Sequence, residues 1–310
     1  MKRLLYSGAL GVNNKIVPHR LPYDPKTGVA ALEEAIDVLI GRTGEIVTRR
    51  GTQKVQTGSF HSFFGLGDGS FYVVEERTED SALFKAVPNA DGTLELYGII
   101  SGLSLNSRMD FVMVANRVLY CNGHQNGVLE NDVSRAWDSQ DWTGPDSTIE
   151  MVKPPVGDHI DFLSGRALLS KDDELFYSEH GLIGLVDEAG SRVRMEGKII
   201  MICAVQTGVY ISDTKAVYYL SGVNPKEWIC KKVLNYPVIE WGKEHNLVDP
   251  SLFGLESFGL SCLFATVNGP VIGLPDGTAI NLIDKVLTMP DCKKQSGSIM
   301  VVDETTILQG

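Results

Sequence analysis

Cysteine is sparse and unpaired in this chain. The five cysteines, Cys121, Cys203, Cys230, Cys262 and Cys292, are odd in number and never stand as a C-x-x-C pair. That spacing argues against a disulfide framework or zinc site and for reduced thiols made in a cytosol. No stretch approaches the roughly 18 consecutive apolar residues of a membrane span, so no membrane anchor is expected. Lys2-Arg3 and the apolar residues after them have the outline of a short leader. Ser7 and Gly8 break that run and no small-x-small site precedes Asn13, so a secretory leader is not expected either. Positive charge is also in short supply, with 28 Lys and Arg against 39 Asp and Glu and a formal net charge of −11. An acidic surface repels phosphate, which excludes a stable grip on nucleic acid and leaves room only for transient passage of DNA along a non-sticking wall.

Catalytic signatures are missing as well. The sequence has no G-x-S-x-G, no H-E-x-x-H, no P-loop and no dinucleotide fingerprint. Gly65-Leu-Gly-Asp-Gly69 is glycine-rich but lies between two β-type runs and opens no helix, so it reads as a hairpin turn. Asp172-Asp-Glu174, followed by Glu179-His180, lacks the spacing and glycine of a calcium loop and reads as a solvated turn. The six histidines never pair at ligand spacing. No catalytic residue, metal or cofactor is therefore expected. Trp137, Trp142, Trp228 and Trp241 are expected to pack on sheet faces, with a glycan-binding surface as the alternative.

What the chain does have is a recurring short pattern: an apolar run, a turn, a second apolar run and a polar or glycine-containing turn. The copies start at Phe60, Phe111, Phe162, Ile200, Leu263 and Ile299, with spacings of 51, 51, 38, 63 and 36. Their mean, about 48, is near the length of one four-stranded propeller blade. A single blade cannot cover both its faces and must stack on neighbours, and closing the stack hides the end faces too. The last copy supplies two strands. The fold class expected is all-β and β-propeller-like, with five or six blades, closed by strands from both chain ends: a hairpin at 36–50 and the segment 299–310. A β-sandwich or a pair of β-domains is the alternative. Residues 1–28 are expected to form an irregular N-terminal arm, interrupted by Pro18, Pro22 and Pro25, and 29–310 a single propeller domain. A short helix is allowed at 30–37.

Four collinear patches carry a family resemblance. The first is Gly11-Val-Asn-Asn14, Leu21-Pro22, Glu34-Ala-Ile-Asp-Val38 and Gly44-Glu-Ile-Val-Thr-Arg-Arg-Gly51. Leu175-Phe-Tyr-Ser-Glu179 follows, then Gly208-Val-Tyr-Ile211 with Ala216-Val-Tyr-Tyr-Leu-Ser-Gly222 and Asn224-Pro-Lys-Glu-Trp228, and last Gly269-Pro-Val-Ile-Gly-Leu-Pro-Asp-Gly277. In this order they resemble the pattern of phage tail hub, nozzle and packaged-DNA stabilisation proteins. The chain departs from that pattern at Ile36-Asp-Val-Leu-Ile40, where Asn-Val-Asp-Ile is usual, and lacks the proline that usually closes the hairpin.

The resemblance implies a non-enzymatic propeller that assembles into a ring, often a hexamer, in a phage tail made in the host bacterial cytoplasm. Its implied partners are other copies of itself and tail adaptor, tube or tip proteins, and its implied role is to line or close the DNA exit channel. Asn13, Asn14, Arg20, Arg49 and Arg50 are the candidate subunit- or partner-interface residues. A receptor- or glycan-binding tail-tip propeller is the alternative reading, and a propeller hydrolase a more distant one.

Overall fold

A computed structural model describes residues 9–17, 20–26, 29–32, 38–40, 46–48, 54–137, 150–284, 298–302 and 305–309. The chain is an all-β propeller of five four-stranded antiparallel blades. The first blade is built from Ser59–Gly65, Phe71–Glu76, Ser81–Pro88 and Leu94–Leu103. The second runs through Asp110–Val114, Arg117–Cys121, Asn126–Glu130 and Val133–Ala136. His159–Leu163, Arg166–Lys171, Glu174–Tyr177 and Arg192–Arg194 make the third. The fourth comprises Ile199–Val205, Gly208–Asp213, Val217–Ser221 and Ile229–Leu234. Val238–Lys243, Cys262–Thr266, Gly269–Gly273 and Ala279–Asn281 complete the fifth.

Most of the core lies between blades, with one further cluster, around Leu263 and Ile272, inside the fifth. In the fourth blade's first strand, Ile202 and Ala204 pack with third-blade Leu168, Leu175 and Tyr177. The intervening Cys203 and Val205 pack with fifth-blade Cys262 and Phe264. Both faces of the strand are covered, so every residue of it is buried. That is why its sequence is a continuous apolar run and not an alternation. Phe64, Phe111 and Leu129 join the first and second blades, and Leu119, Trp137 and Leu169 join the second and third.

Turn chemistry holds each blade in register. At Gly65-Leu-Gly-Asp-Gly69 the Leu66 amide donates to the Ser70 carbonyl at 3.0 Å and the Ser70 amide to Asp68 Oδ1 at 2.8 Å. Gly67 and Gly69 take φ of 80° and 87°, the left-handed region where a side chain is costly. Asp172, also left-handed, turns between the second and third strands of the third blade, while Asp173 and Glu174 pair with Arg194 and Arg192. Both segments are the turns their sequences imply.

The blade assignments refine the repeat. Phe60, Phe111, Phe162 and Ile200 each sit on the first strand of a blade, whereas Leu263 sits on the second strand of the fifth. The long step before Leu263 arises because that blade starts at Val238. The expected hairpin near 36–50 is present as Val38–Ile40 paired with Ile46–Thr48, and the C-terminal one as Ser298–Val302 paired with Thr305–Gln309. From the third blade to the fifth, each first strand lies against the first strand of the blade before it, and Ser298–Val302 lies against the first two strands of the fifth blade. The terminal hairpins each pair internally among the described residues.

The N-terminal arm has more order than its prolines suggest. Ala9–Val12 pairs parallel to Val29–Leu32, which pairs antiparallel to Tyr23–Asp24. Val29–Leu32 is thus a strand where a helix was allowed. Val29 and Ala31 are buried while Ala30 and Leu32 are less so, a period of two and not of 3.6. The Lys15 ammonium bonds the Asp284 carbonyl just beyond the fifth blade, tying arm to propeller.

Candidate functional site

Each junction between successive blades is closed by one side-chain oxygen that accepts a backbone N–H of the next blade. Ser62 Oγ takes the Met109 amide at 2.8 Å, Asp110 Oδ2 the Ile160 amide at 3.0 Å, Asp161 Oδ2 the Ala204 amide at 2.9 Å, and Ser212 Oγ the Val238 amide at 3.1 Å. The two aspartates also cap their own strands, accepting from Phe111 at 3.0 Å and Phe162 at 2.7 Å. A strand that enters at the axis has N–H groups outside its ladder, and burying them unpaired is costly. The clasps remove that cost and set the angle between neighbours.

A cation completes the centre. Lys243 ends the first strand of the fifth blade, and its Nζ donates to the carbonyls of Ile160 at 3.0 Å and Ile202 at 2.9 Å. The same nitrogen lies 3.1 Å from Asp110 Oδ2 and 3.9 Å from Asp161 Oδ2. One buried ammonium therefore binds the second, third and fourth blades to the fifth. His245 Nδ1 stands 3.2 Å from both Asp110 Oδ1 and the Phe111 carbonyl. Both are acceptors, so this nitrogen carries the proton. The His245 ring meets Phe64 edge-on at 5.5 Å between centroids, which brings in the first blade.

His159 lies beneath Trp241, ring centroids 4.5 Å apart, with Nδ1 3.6 Å from Asp110 Oδ2. Its Nε2 is buried without a hydrogen-bond partner among the described residues. Trp241 holds φ of 66°, an uncommon conformation for so bulky a residue. The cost is met where the fifth blade's first strand bulges between Val238 and Lys243, which aims Lys243 at the axis.

Electrostatics follow the geometry. Burial alone would raise the Asp110 pKa, but the Lys243 charge and the neighbouring histidines overcome it and hold this carboxyl below the usual carboxylate range. Asp161 goes the other way: burial outweighs the more distant Lys243 and pushes it up to about 6. Burial also opposes charge on Lys243, yet the two aspartates keep its pKa above the ordinary lysine value. His245 is pushed down to about 4, chiefly by burial, with the Lys243 charge adding to the effect.

The void enclosed by Asp110, His159, Met201, Trp241, Lys243 and His245 is about 10 Å³. That is room for about one water molecule, against roughly 300–1,000 Å³ for small-molecule sites. The arrangement is suited to holding blades together.

Of these axial residues only Trp241 was named in the sequence, as a packing tryptophan; Asp110, His159, Asp161, Lys243 and His245 were not singled out. The available signal was Asp110-Phe111 and Asp161-Phe162, an acid inside an apolar run recurring at a spacing of 51. Of the sequence-derived interface candidates, Asn13 is buried, its amide donating to the Leu32 carbonyl at 2.7 Å and its Oδ1 accepting from the Lys15 amide at 3.1 Å. Asn13 thus organises the arm from within. Asn14 and Arg20 are exposed on the arm. Arg49 and Arg50 lie outside the described residues. Trp137 is buried, Trp228 donates to the Gly222 carbonyl at 2.8 Å, Trp241 covers His159, and Trp142 lies outside the described residues.

No protein-family model and no curated protein matches the chain. Solved structures similar to it include the AfRom2 CNH domain, at 11% identity and a TM-score of 0.39, with 81% of this chain and 71% of that one covered. Another is the extracellular domain of a putative hybrid two component system from B. thetaiotaomicron, at 9% identity and a TM-score of 0.47, with 79% and 31% covered. The tricorn protease aligns at 14% identity and a TM-score of 0.44, with 80% and 24% covered. This chain spans less than a third of the latter two.

Proposed function

We propose that this chain is a non-catalytic assembly module, a rigid disc that works through its rim and arm, and specifically a ring subunit of a bacteriophage tail of the hub or nozzle type. The observation that carries the module reading is the filled axis. Lys243 spans the Asp110 carboxylate and the Ile160 and Ile202 carbonyls where a propeller enzyme would keep its mouth open.

The phage-tail reading rests on the four collinear patches, of which the third falls on one continuous stretch of a single blade. Gly208–Ile211 and Ala216–Gly222 are the middle strands of the fourth blade, and Asn224–Trp228 is the capped turn that follows. Within that turn Trp228 folds back onto the Gly222 carbonyl and meets third-blade Tyr177 edge-on at 5.9 Å. The spacing from glycine to tryptophan thus serves to join two blades. With its axis filled, such a subunit would line a DNA channel between copies and not through its own centre. The acidic net charge of −11 suits a wall past which DNA slides.

The test is negative-stain electron microscopy of the purified chain, alone and mixed with tail adaptor and tube proteins. Rings of repeated discs around an open channel are expected. A chain that stays a single disc in the presence of those partners would overturn the ring reading.

A further inference from the structure

We propose that the cleft between the second and third blades is a docking pocket for an acidic peptide segment carrying one large apolar side chain. The cleft has a volume of about 260 Å³. Val114, Leu119, Phe162 and Ile183 form its apolar walls, and the turn residues Ala115, Gly165 and Gly181 shape its mouth. Those three turn residues hold φ of 54°, 80° and 76°, so the mouth is built from tight left-handed turns and its opening is set by backbone.

Charge at the mouth selects the occupant. Arg117 lines the cleft, with Nε 3.7 Å from Glu130 Oε1. Arg135 reaches the other oxygen of the same carboxylate at 3.2 Å. One carboxylate thus faces two guanidiniums, and the rim has a surplus of positive charge on a chain whose net charge is −11. Arg117 and Arg135 both remain largely exposed. An acidic ligand is drawn to this mouth and repelled by much of the remaining surface.

Size and shape then favour a peptide. The volume lies below the roughly 300–1,000 Å³ usual for small-molecule sites, yet it accepts one large side chain. An apolar anchor in a pocket beside an arginine is the usual centre of a protein docking surface. The proposal does not depend on ring formation. A chain that binds the peptide but never forms rings would keep this assignment and lose the previous one.

The experiment is fluorescence polarisation with a labelled pentapeptide, glycine-glutamate-phenylalanine-aspartate-glycine. Its counterpart with glutamine and asparagine in place of the acids, and free phenylpropanoate as a competitor, complete the set. Saturable binding of the acidic peptide is expected, with weaker binding of the neutral one. Ala115→Trp, which places a large side chain at the mouth, is expected to abolish binding. Arg117→Gln should weaken the acidic peptide about two- to fivefold, as for an exposed ion pair, and leave the neutral peptide unchanged. Arg117→Glu, an exposed change that keeps the charge argument testable if Ala115→Trp misfolds, should cost more than Arg117→Gln. Absence of saturable binding overturns the proposal, as does undiminished binding by folded Ala115→Trp or by Arg117→Glu. Phenylpropanoate binding as tightly as the peptide would reassign the cleft to small amphiphilic acids.

Discussion

At the scale of single residues, the axis is a balance of opposed charges, and each can be disturbed separately. Replacing Lys243 by Met leaves Asp110 buried without its cation and removes the bonds to Ile160 and Ile202. Breaking a buried pair on one side costs about 3–5 kcal/mol, whereas removing both charges is far milder. Urea unfolding should therefore show Lys243→Met strongly destabilised and the double variant with Asp110→Asn partly restored. Equal loss in single and double variants would contradict the pairing.

The same cluster sets the acid response. His245, held near 4 against an ordinary 6.5, stabilises the fold fully above pH 6.5, and that contribution is lost as pH falls toward 4. Asp161, raised to about 6 from 3.8, binds its proton earlier in the folded state, so stability rises as pH falls from about 6 to 3.8. The two slopes oppose each other across the same window. The contributions of these two residues should therefore largely cancel between pH 6 and 4. Asp161→Asn should unmask the histidine loss and His245→Gln the aspartate gain, both read by urea midpoints across that range. Below 3.8, protonation of Asp110 removes stability in all forms that retain it.

At the scale of strands and turns, close packing between neighbours leaves some glycines no alternative. A Cβ on Gly208 would stand 2.3 Å from the Leu220 carbonyl oxygen, while one on Gly98 would meet the Phe84 ring at an ordinary 3.8 Å. Gly208→Ala is expected to cost about 1–3 kcal/mol through forced backbone movement, and Gly98→Ala to stay within about 0.5 kcal/mol of wild type; thermal melts of the two variants compare them directly. Blade starts were legible where most of the first strand is apolar, as at Phe111, Phe162 and Ile200. The fifth blade's first strand was hidden because Glu240, Gly242 and Lys243 interrupt Val238–Lys243 and Trp241 turns it out of extended geometry. That irregularity is the bulge that delivers Lys243 to the axis. The Ala9–Val12 and Val29–Leu32 strands were obscured by intervening prolines, since parallel pairing joins segments that local pattern cannot relate.

Across the whole molecule, propeller architecture could be read from repetition, because each blade needs neighbours on both faces and the apolar runs recur accordingly. The axial site could not be assembled the same way. Asp110 and Asp161 occupy like positions in successive repeats, but Lys243 and His245 come from the fifth blade, and no spacing links them to their partners. The proposed ring formation belongs to this scale too, and with the axis occupied it would depend on the disc's outer surfaces, the arm among them.

Lys15 and Asp284 are 269 positions apart in sequence, yet they touch. Mechanically, that contact is a latch between the beginning of the chain and the end of its fifth blade. Tension applied through the amino terminus loads the latch and the short arm ladder before it reaches any blade. The arm can therefore give way and lengthen while the disc stays whole, a compliant link in series with a stiff body.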